Sequence, residues 1–224
     1  MASGTNPQVV PIFATPFCVV RLAQAQNLNP VLAGLFAERA TPKWGAKSDV
    51  PATHTFRSRD DLTEWPEEPV RETLNAILAS VSSVAASISD YSADDFAALQ
   101  RQARAWFTIV RTDGCVPPTS YPNTSWVGLY CVAAPEPSNS RVDSGVLRLH
   151  EWRPGTSFQD ACHGGLRLPY RPSHCTWRPV AGEMAVFPAH ITHEIAMLRA
   201  AGALTIVTAR VRFVASDRAW MPPW

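Results

Sequence analysis

The residues best placed to do chemistry lie between Trp177 and Phe213. There Gly182 opens a turn, Glu183 to Phe187 reads as a strand, Phe187-Pro188 ends it, and His193 follows within a turn. This puts an imidazole on a rigid edge at a barrel mouth, where the neutral ring suits a divalent metal. His190, three residues earlier, faces a different direction at the strand end or joins it as a ligand. His150-Glu151 closes another β-rich run, and neighbours on a strand point to opposite faces, so at most one of the two looks inward. On that basis His150 is the second candidate metal ligand. Cys162-His163 and His174-Cys175 are mirror-image dipeptides whose groups suit zinc. They lack the tight two-residue gap of zinc clusters, and a loop with ordinary thiols accounts for them as well. Trp126 and Tyr130 share a strand face with Gly128, either lining a pocket or filling the core. Asp94 and Asp95 read as acids at a helix N-terminus. No nucleophile elbow, phosphate loop or dinucleotide fingerprint is present.

These groups need a scaffold, and the sequence describes one. The chain has 224 residues, 46% hydrophobic and 17% charged, which indicates a globular chain with a full core. The net charge of +1 gives no basic surplus for nucleic acid or an anionic membrane. No apolar run approaches the length needed to span a bilayer, and Met1 to Val10 lacks the pattern of a signal peptide. A soluble, cytoplasmic protein is expected. The five cysteines are odd in number and scattered, which favours reduced thiols.

Val9 to Phe13 and Phe17 to Val20 read as strands. Asn29-Pro30 reads as the cap and first residue of a helix carrying Leu32, Leu35 and Phe36. Thr41 to Glu68 reads as a long loop. A helix from about Pro69 carries a stripe of Leu74, Ile77, Leu78, Val81 and Val84, and Ser92 with Asp95 caps a third, shorter helix. From Ala105 the periodicity changes. Trp106 to Val110, Trp126 to Val132, Gly145 to His150, Glu183 to Phe187 and Leu204 to Phe213 are short β-rich runs separated by turn clusters, as in a sandwich or barrel. Pro135 to Asp143 reads as a mobile loop. The expected fold is mainly β with N-terminal helices: a double-stranded β-helix, or cupin-like jelly roll. The expected organisation is one domain over 1–224, with a strand-plus-helix support at 1–104 and a jelly-roll core at 105–216.

The run from Gly182 through Phe187-Pro188 to His193 resembles the 2-oxoglutarate/Fe(II)-dependent oxygenase superfamily, in particular its small bacterial and phage-type branch. Pro11 to Phe17, Asn123 to Val132 and Gly145 to Pro154 are similar to other parts of that branch, with Glu151 and Arg153 at the end of a Gly-rich strand. The resemblance implies Fe(II) and 2-oxoglutarate as cofactors, His193 as a metal ligand and O₂ activation as the chemistry. It also exposes two departures. Where the family has a His-x-Asp or His-x-His pair, this chain has Thr119 and Tyr121, neither a usual Fe(II) ligand. Where the family has an arginine for the co-substrate's distal carboxylate, this chain has Ala203. Thr205 retains a hydroxyl near that place, and Arg210, Arg153, Arg199 or Arg212 offers a guanidinium from elsewhere. Strand alternation sets Arg210 and Arg212 on the opposite face from Ala203. Tyr121 and Tyr130 are the candidate catalytic side chains.

Two functions follow. One is an Fe(II)/2-oxoglutarate oxygenase-like enzyme acting at a modified metal site on an unidentified small molecule or peptide. The other is a catalytically degenerate jelly roll that binds a ligand or a protein partner, or a further copy of itself. Eight tryptophans, among them Trp220 and Trp224, offer apolar surface for the second. A third, metal-free or differently metallated chemistry in the same pocket, is open as well.

Overall fold

The computed structural model describes residues 11, 13–47, 54–136, 143–150, 160–167, 169–170 and 174–215. The strands are β1 (Cys18–Arg21), β2 (Thr55–Arg57), β3 (Gln100–Arg111), β4 (Val116–Thr119), β5 (Trp126–Ala133), β6 (Leu147–His150), β7 (His174–Trp177), β8 (Glu183–Pro188), β9 (His193–Ile195) and β10 (Ala203–Val214). The helices are α1 (Ala25–Arg39), α2 (Glu68–Ser87), α3 (Ala93–Ala97) and α4 (Ala161–Gly164). A six-stranded sheet has the order β1-β8-β5-β10-β3-β2, and a four-stranded sheet the order β4-β9-β6-β7. All these pairings are antiparallel. From β3 to β10 the chain changes sheet at every step except β6 to β7. That winding is the double-stranded β-helix, and the expected fold class holds.

The strands β3, β5, β8 and β10 of the larger sheet divide their side chains between two cores. Phe107, Ile109, Tyr130, Met184, Val186, Val207, Ala209 and Val211 face the helices, with Phe36 of α1 and Val70, Leu74, Ile77 and Val81 of α2. The alternate residues Val110, Val127, Leu129, Cys131, Ala185, Phe187, Leu204 and Ile206 face the barrel interior, with Leu147, Leu149 and Ile195 of the smaller sheet. The buried residues of α2 recur at helical spacing, so one stripe lies on the sheet. Gly128 lets that stripe approach, since a Cβ there would lie 2.7 Å from Ile77 Cγ2. Gly182 makes the turn into β8 with φ +89°, which its lack of a side chain permits.

Several expectations are corrected. The first helix begins at Ala25, so Pro30 lies inside it and Asn29 is no cap. The Asn29 side chain instead accepts a hydrogen bond from the Tyr130 hydroxyl at 2.5 Å. The expected loop from Thr41 to Glu68 contains β2, which pairs with β3, and a 3-10 turn at Leu62–Glu64. Three-residue β2 and β9 are too short for alternation to mark them. The third helix is capped as expected, with Ser92 Oγ accepting from Asp95 N at 3.1 Å. Most of the expected first strand at Val9 to Phe13 and of the loop at Pro135 to Asp143 lies outside the described residues. Among the described residues, no helix is long and apolar enough to cross a membrane.

Candidate functional site

His193 is the first residue of β9, and parity turns it inward with Ile195. It is 4% exposed. Its Nδ1 lies 2.9 Å from the Ile191 carbonyl oxygen. A carbonyl only accepts, so in the neutral ring Nδ1 carries the proton and Nε2 keeps its lone pair. Burial holds the ring's pKa below the ordinary histidine value; the hydrogen bond to Ile191 opposes this, and the neighbouring His150 reinforces it. His193 is thus an oriented, uncharged imidazole.

Its surroundings come from β4, β6 and β8 and the loop after β4. Thr119 of β4 is the direct cross-strand partner of His193, as is Leu149 of β6 on the other side. The Tyr121 ring stands edge-on to His193 with centroids 5.5 Å apart, and Phe187 of β8 does so at 5.0 Å. Tyr121 is anchored through its backbone N–H, which donates to the Ala189 carbonyl at 2.8 Å. Its hydroxyl is hydrogen-bonded to the Thr119 side chain. Burial raises the Tyr121 pKa, and Arg57, Arg210 and the Thr119 hydrogen bond oppose the rise.

Around Tyr121 lies a polar and aromatic rim. Trp106 of β3 meets the Tyr121 ring at 5.5 Å. The Arg57 guanidinium of β2 lies 4.4 Å from the centre of the Trp106 ring, and that of Arg210 from β10 lies 5.7 Å from Tyr121. Arg210 also pairs with Asp60 at 3.3 Å. Buried Thr108 and Thr208 share the interior parity of Trp106 and Arg210. Sequence reasoning missed Arg57 and Asp60 because β2 lay in an expected loop, and it placed Trp106 on a strand without assigning it to the site. The one available signal was the even-numbered parity shared by Trp106 and Arg104 on β3.

The structure separates the other candidates from this cluster. His150 faces outward, on the same side of the smaller sheet as Arg148 and Glu194, while Leu149 beside it points in. Its Nε2 lies 3.5 Å from Glu194 Oε1, and Arg148 pairs with the same carboxylate oxygen at 2.5 Å. His150 is therefore corrected as a co-ligand of His193: strand alternation puts it on the other face. Tyr130 is corrected as a catalytic candidate for the same reason. It faces the helices, is fully buried, and burial pushes its hydroxyl up to about 12, so it stays protonated.

Thr205 is 6% exposed and has the parity of Val207 and Ala209, so it too faces the helix side. Ala203 packs on that side as well. The inward positions of β10 are Leu204, Ile206, Thr208, Arg210 and Arg212, with Ala203 on the outward side. Arg212 is buried and its Nε donates to Gln102 Oε1 at 2.7 Å, which leaves Arg210 as the arginine beside Tyr121. Arg199 pairs with Asp113 at 2.6 Å, at the opposite barrel end from His193. Arg153 and Glu151 lie outside the described residues, as do Trp220 and Trp224. For the zinc expectation, Cys162 is exposed and Cys175 half-buried, and nothing is described of the His163 side chain.

These residues do not fit a 2-oxoglutarate/Fe(II) centre. Among the described residues, no three His, Cys, Asp or Glu side chains converge to hold a metal ion. The two positions beside His193 carry neutral hydroxyls already bonded to one another. The inward start of β10 carries Leu204 and Ile206, which offer a carboxylate nothing. Two cavities are found elsewhere. One of about 420 Å³ lies between α1 and β5, against Asn29, Pro30 and Val132. Another of about 340 Å³ lies at the opposite barrel end, beside Ser144, Arg178 and Leu198.

No protein-family model matches the chain, and no curated protein matches it. Solved structures do match. A prolyl-4-hydroxylase from Pseudomonas putida superposes with a TM-score of 0.58 at 15% identity, covering 88% of this chain and 91% of that one. The non-heme alpha-ketoglutarate-dependent epimerase SnoN of nogalamycin biosynthesis gives 0.57 at 13% identity, covering 94% and 83%. HygX from Streptomyces hygroscopicus, with nickel and 2-oxoglutarate bound, gives 0.54 at 11% identity, covering 91% and 84%. This chain therefore has the double-stranded β-helix fold of the 2-oxoglutarate/Fe(II) oxygenase structures, wound in the same way over most of its length.

Proposed function

We propose that this chain is a ligand-binding barrel built on the oxygenase fold, in which His193 and its neighbours form a metal-free site. The observation that carries this reading is the Thr119–Tyr121 hydroxyl pair beside His193. A facial metal site needs anionic or imidazole donors at those two places. Here both are neutral hydroxyls interacting with one another, and the Tyr121 ring stands edge-on to the imidazole at 5.5 Å. We read 1–224 as one domain, with 1–104 supporting a barrel over 105–216, and the ligand as a small molecule or short peptide met in the cytoplasm.

A second reading keeps the iron oxygenase. What favours it is His193 itself: a neutral ring with Nδ1 held by a carbonyl and Nε2 left as an electron-pair donor, as a metal ligand requires. Fe(II) or Mn(II) titrated anaerobically into the protein, with and without 2-oxoglutarate, separates the two. Calorimetry is expected to show no saturable heat that depends on His193. Stoichiometric binding that disappears in His193→Ala would overturn the metal-free reading and restore the oxygenase.

A further inference from the structure

We infer that Arg57 and Arg210 form an anion-binding subsite at the barrel mouth, and that the ligand of this barrel carries a carboxylate or phosphate group. The inference rests on the reading of the mouth as a ligand site and names the chemical class that enters it. Three observations combine.

First, the two guanidinium groups come from strands far apart in the chain, β2 and β10, yet both act on the Tyr121 hydroxyl and on each other. Two cations so close repel, and folding keeps them there. Asp60 is the carboxylate acting on both, and it lies within ion-pair distance of Arg210. Arg57 has no carboxylate within that distance among the described residues; its nearest acceptor is the Ser58 carbonyl at 3.5 Å. An incoming anion would offset the mutual repulsion of the two guanidinium groups.

Second, both guanidinium groups lie against aromatic rings, Arg57 on Trp106 and Arg210 on Tyr121. Trp106 and Tyr121 are in contact with each other, so the two platforms form one rigid unit. A guanidinium over a ring face can keep an N–H edge turned away from the ring, available to a carboxylate or phosphate by paired hydrogen bonds. Third, Arg57 is exposed as a whole residue while burial of its guanidinium against Trp106 lowers its pKa, and the Arg210 side chain is mostly covered, so the pair runs from the rim toward the interior. That is an entry path and an anchor.

The test uses the full chain in EDTA at low, fixed ionic strength, with inorganic phosphate and citrate as the two probes. Calorimetric titration is expected to give saturable binding of at least one, and the stronger binder identifies the phosphate or carboxylate arm. Arg57→Gln and Arg210→Gln are each expected to weaken it about tenfold, the loss of one charge-assisted contact. Arg199→Gln, at the opposite barrel end, is the control and should bind as the parent does. Arg57→Gln is the decisive variant, because Arg57 makes no ion pair among the described residues that its replacement would orphan. Circular dichroism establishes that each variant is folded. Absence of saturable binding overturns the inference, and so does equal binding by parent, Arg57→Gln and Arg199→Gln. The outcome is separable from the metal test: iron binding at His193 would remove the metal-free reading and leave the anion site standing. Loss of anion binding would remove the subsite and leave the metal question unchanged.

Discussion

The two faces of the larger sheet have been put to different uses. On the helix face, packing is predominantly apolar, with Thr73 and Thr205 among its few buried polar side chains. Phe36 stacks on Phe107 at 4.3 Å and nearly parallel, Trp65 stands edge-on to both, and α2 lies close over Gly128. The one buried hydroxyl of a large ring there, on Tyr130, is satisfied by Asn29. On the barrel face the same strands are apolar only part of the way. Toward the mouth Leu204 and Ile206 give way to Thr208 and Arg210, and Val110 to Thr108 and Trp106. Burying such groups is costly unless each is paired, so a polar end on an otherwise apolar barrel marks where the fold gives up stability for binding. The helix face is where the molecule is held together, and the mouth is where the proposed site lies.

That contrast can be broken by substitution. The largest effect is expected at Phe107→Ala, which removes a fully buried ring from the aromatic stack and should cost about 3–5 kcal/mol of unfolding free energy in urea. A much smaller loss would show that the helix layer is loosely attached. Gly128→Ala comes next. Its methyl would press on Ile77 and Val81, for about 1–3 kcal/mol in the same measurement. Tyr130→Phe should cost about 1 kcal/mol through the lost hydrogen bond to Asn29, and it should leave phosphate or citrate binding unchanged. Altered binding in that variant would put Tyr130 back in the site.

The smallest effect concerns pH. His193 has a lowered pKa when folded, so the unfolded chain binds the proton more readily. Its contribution is complete above the unfolded value of about 6.5 and is lost as pH falls toward the folded one. His193→Leu should therefore flatten the decline of Tm below neutrality, and an unchanged slope would assign that decline to other groups.

Local pattern was enough for much of the architecture. The α2 stripe, the Ser92 cap, the Gly182 turn and the long strands around Trp106, Trp126 and Leu204 all follow from periodicity or turn chemistry within a few residues. The placing of Thr119 and Tyr121 beside His193 was not local: the family resemblance implied it, and the structure has Thr119 paired across from His193 and the Tyr121 ring edge-on to it. The failures have a common cause. Asn29-Pro30 looked like a helix start because capping statistics know nothing of Tyr130 across the core. β2 stayed hidden because three residues carry no period.

What the sequence determined by itself was the alternation of each strand, and with it which residues share a face. It could not say which of the two faces is the barrel interior, because both are apolar. Only the packing of α1 and α2 against one side decided that. This single choice turned Tyr130, Thr205 and Ala203 away from the mouth and brought Arg210 into it. Arg57 and Arg210 are separated by most of the chain, and no local rule relates them. They meet because β2 and β10 flank β3, a consequence of sheet order that exists only once the barrel has closed.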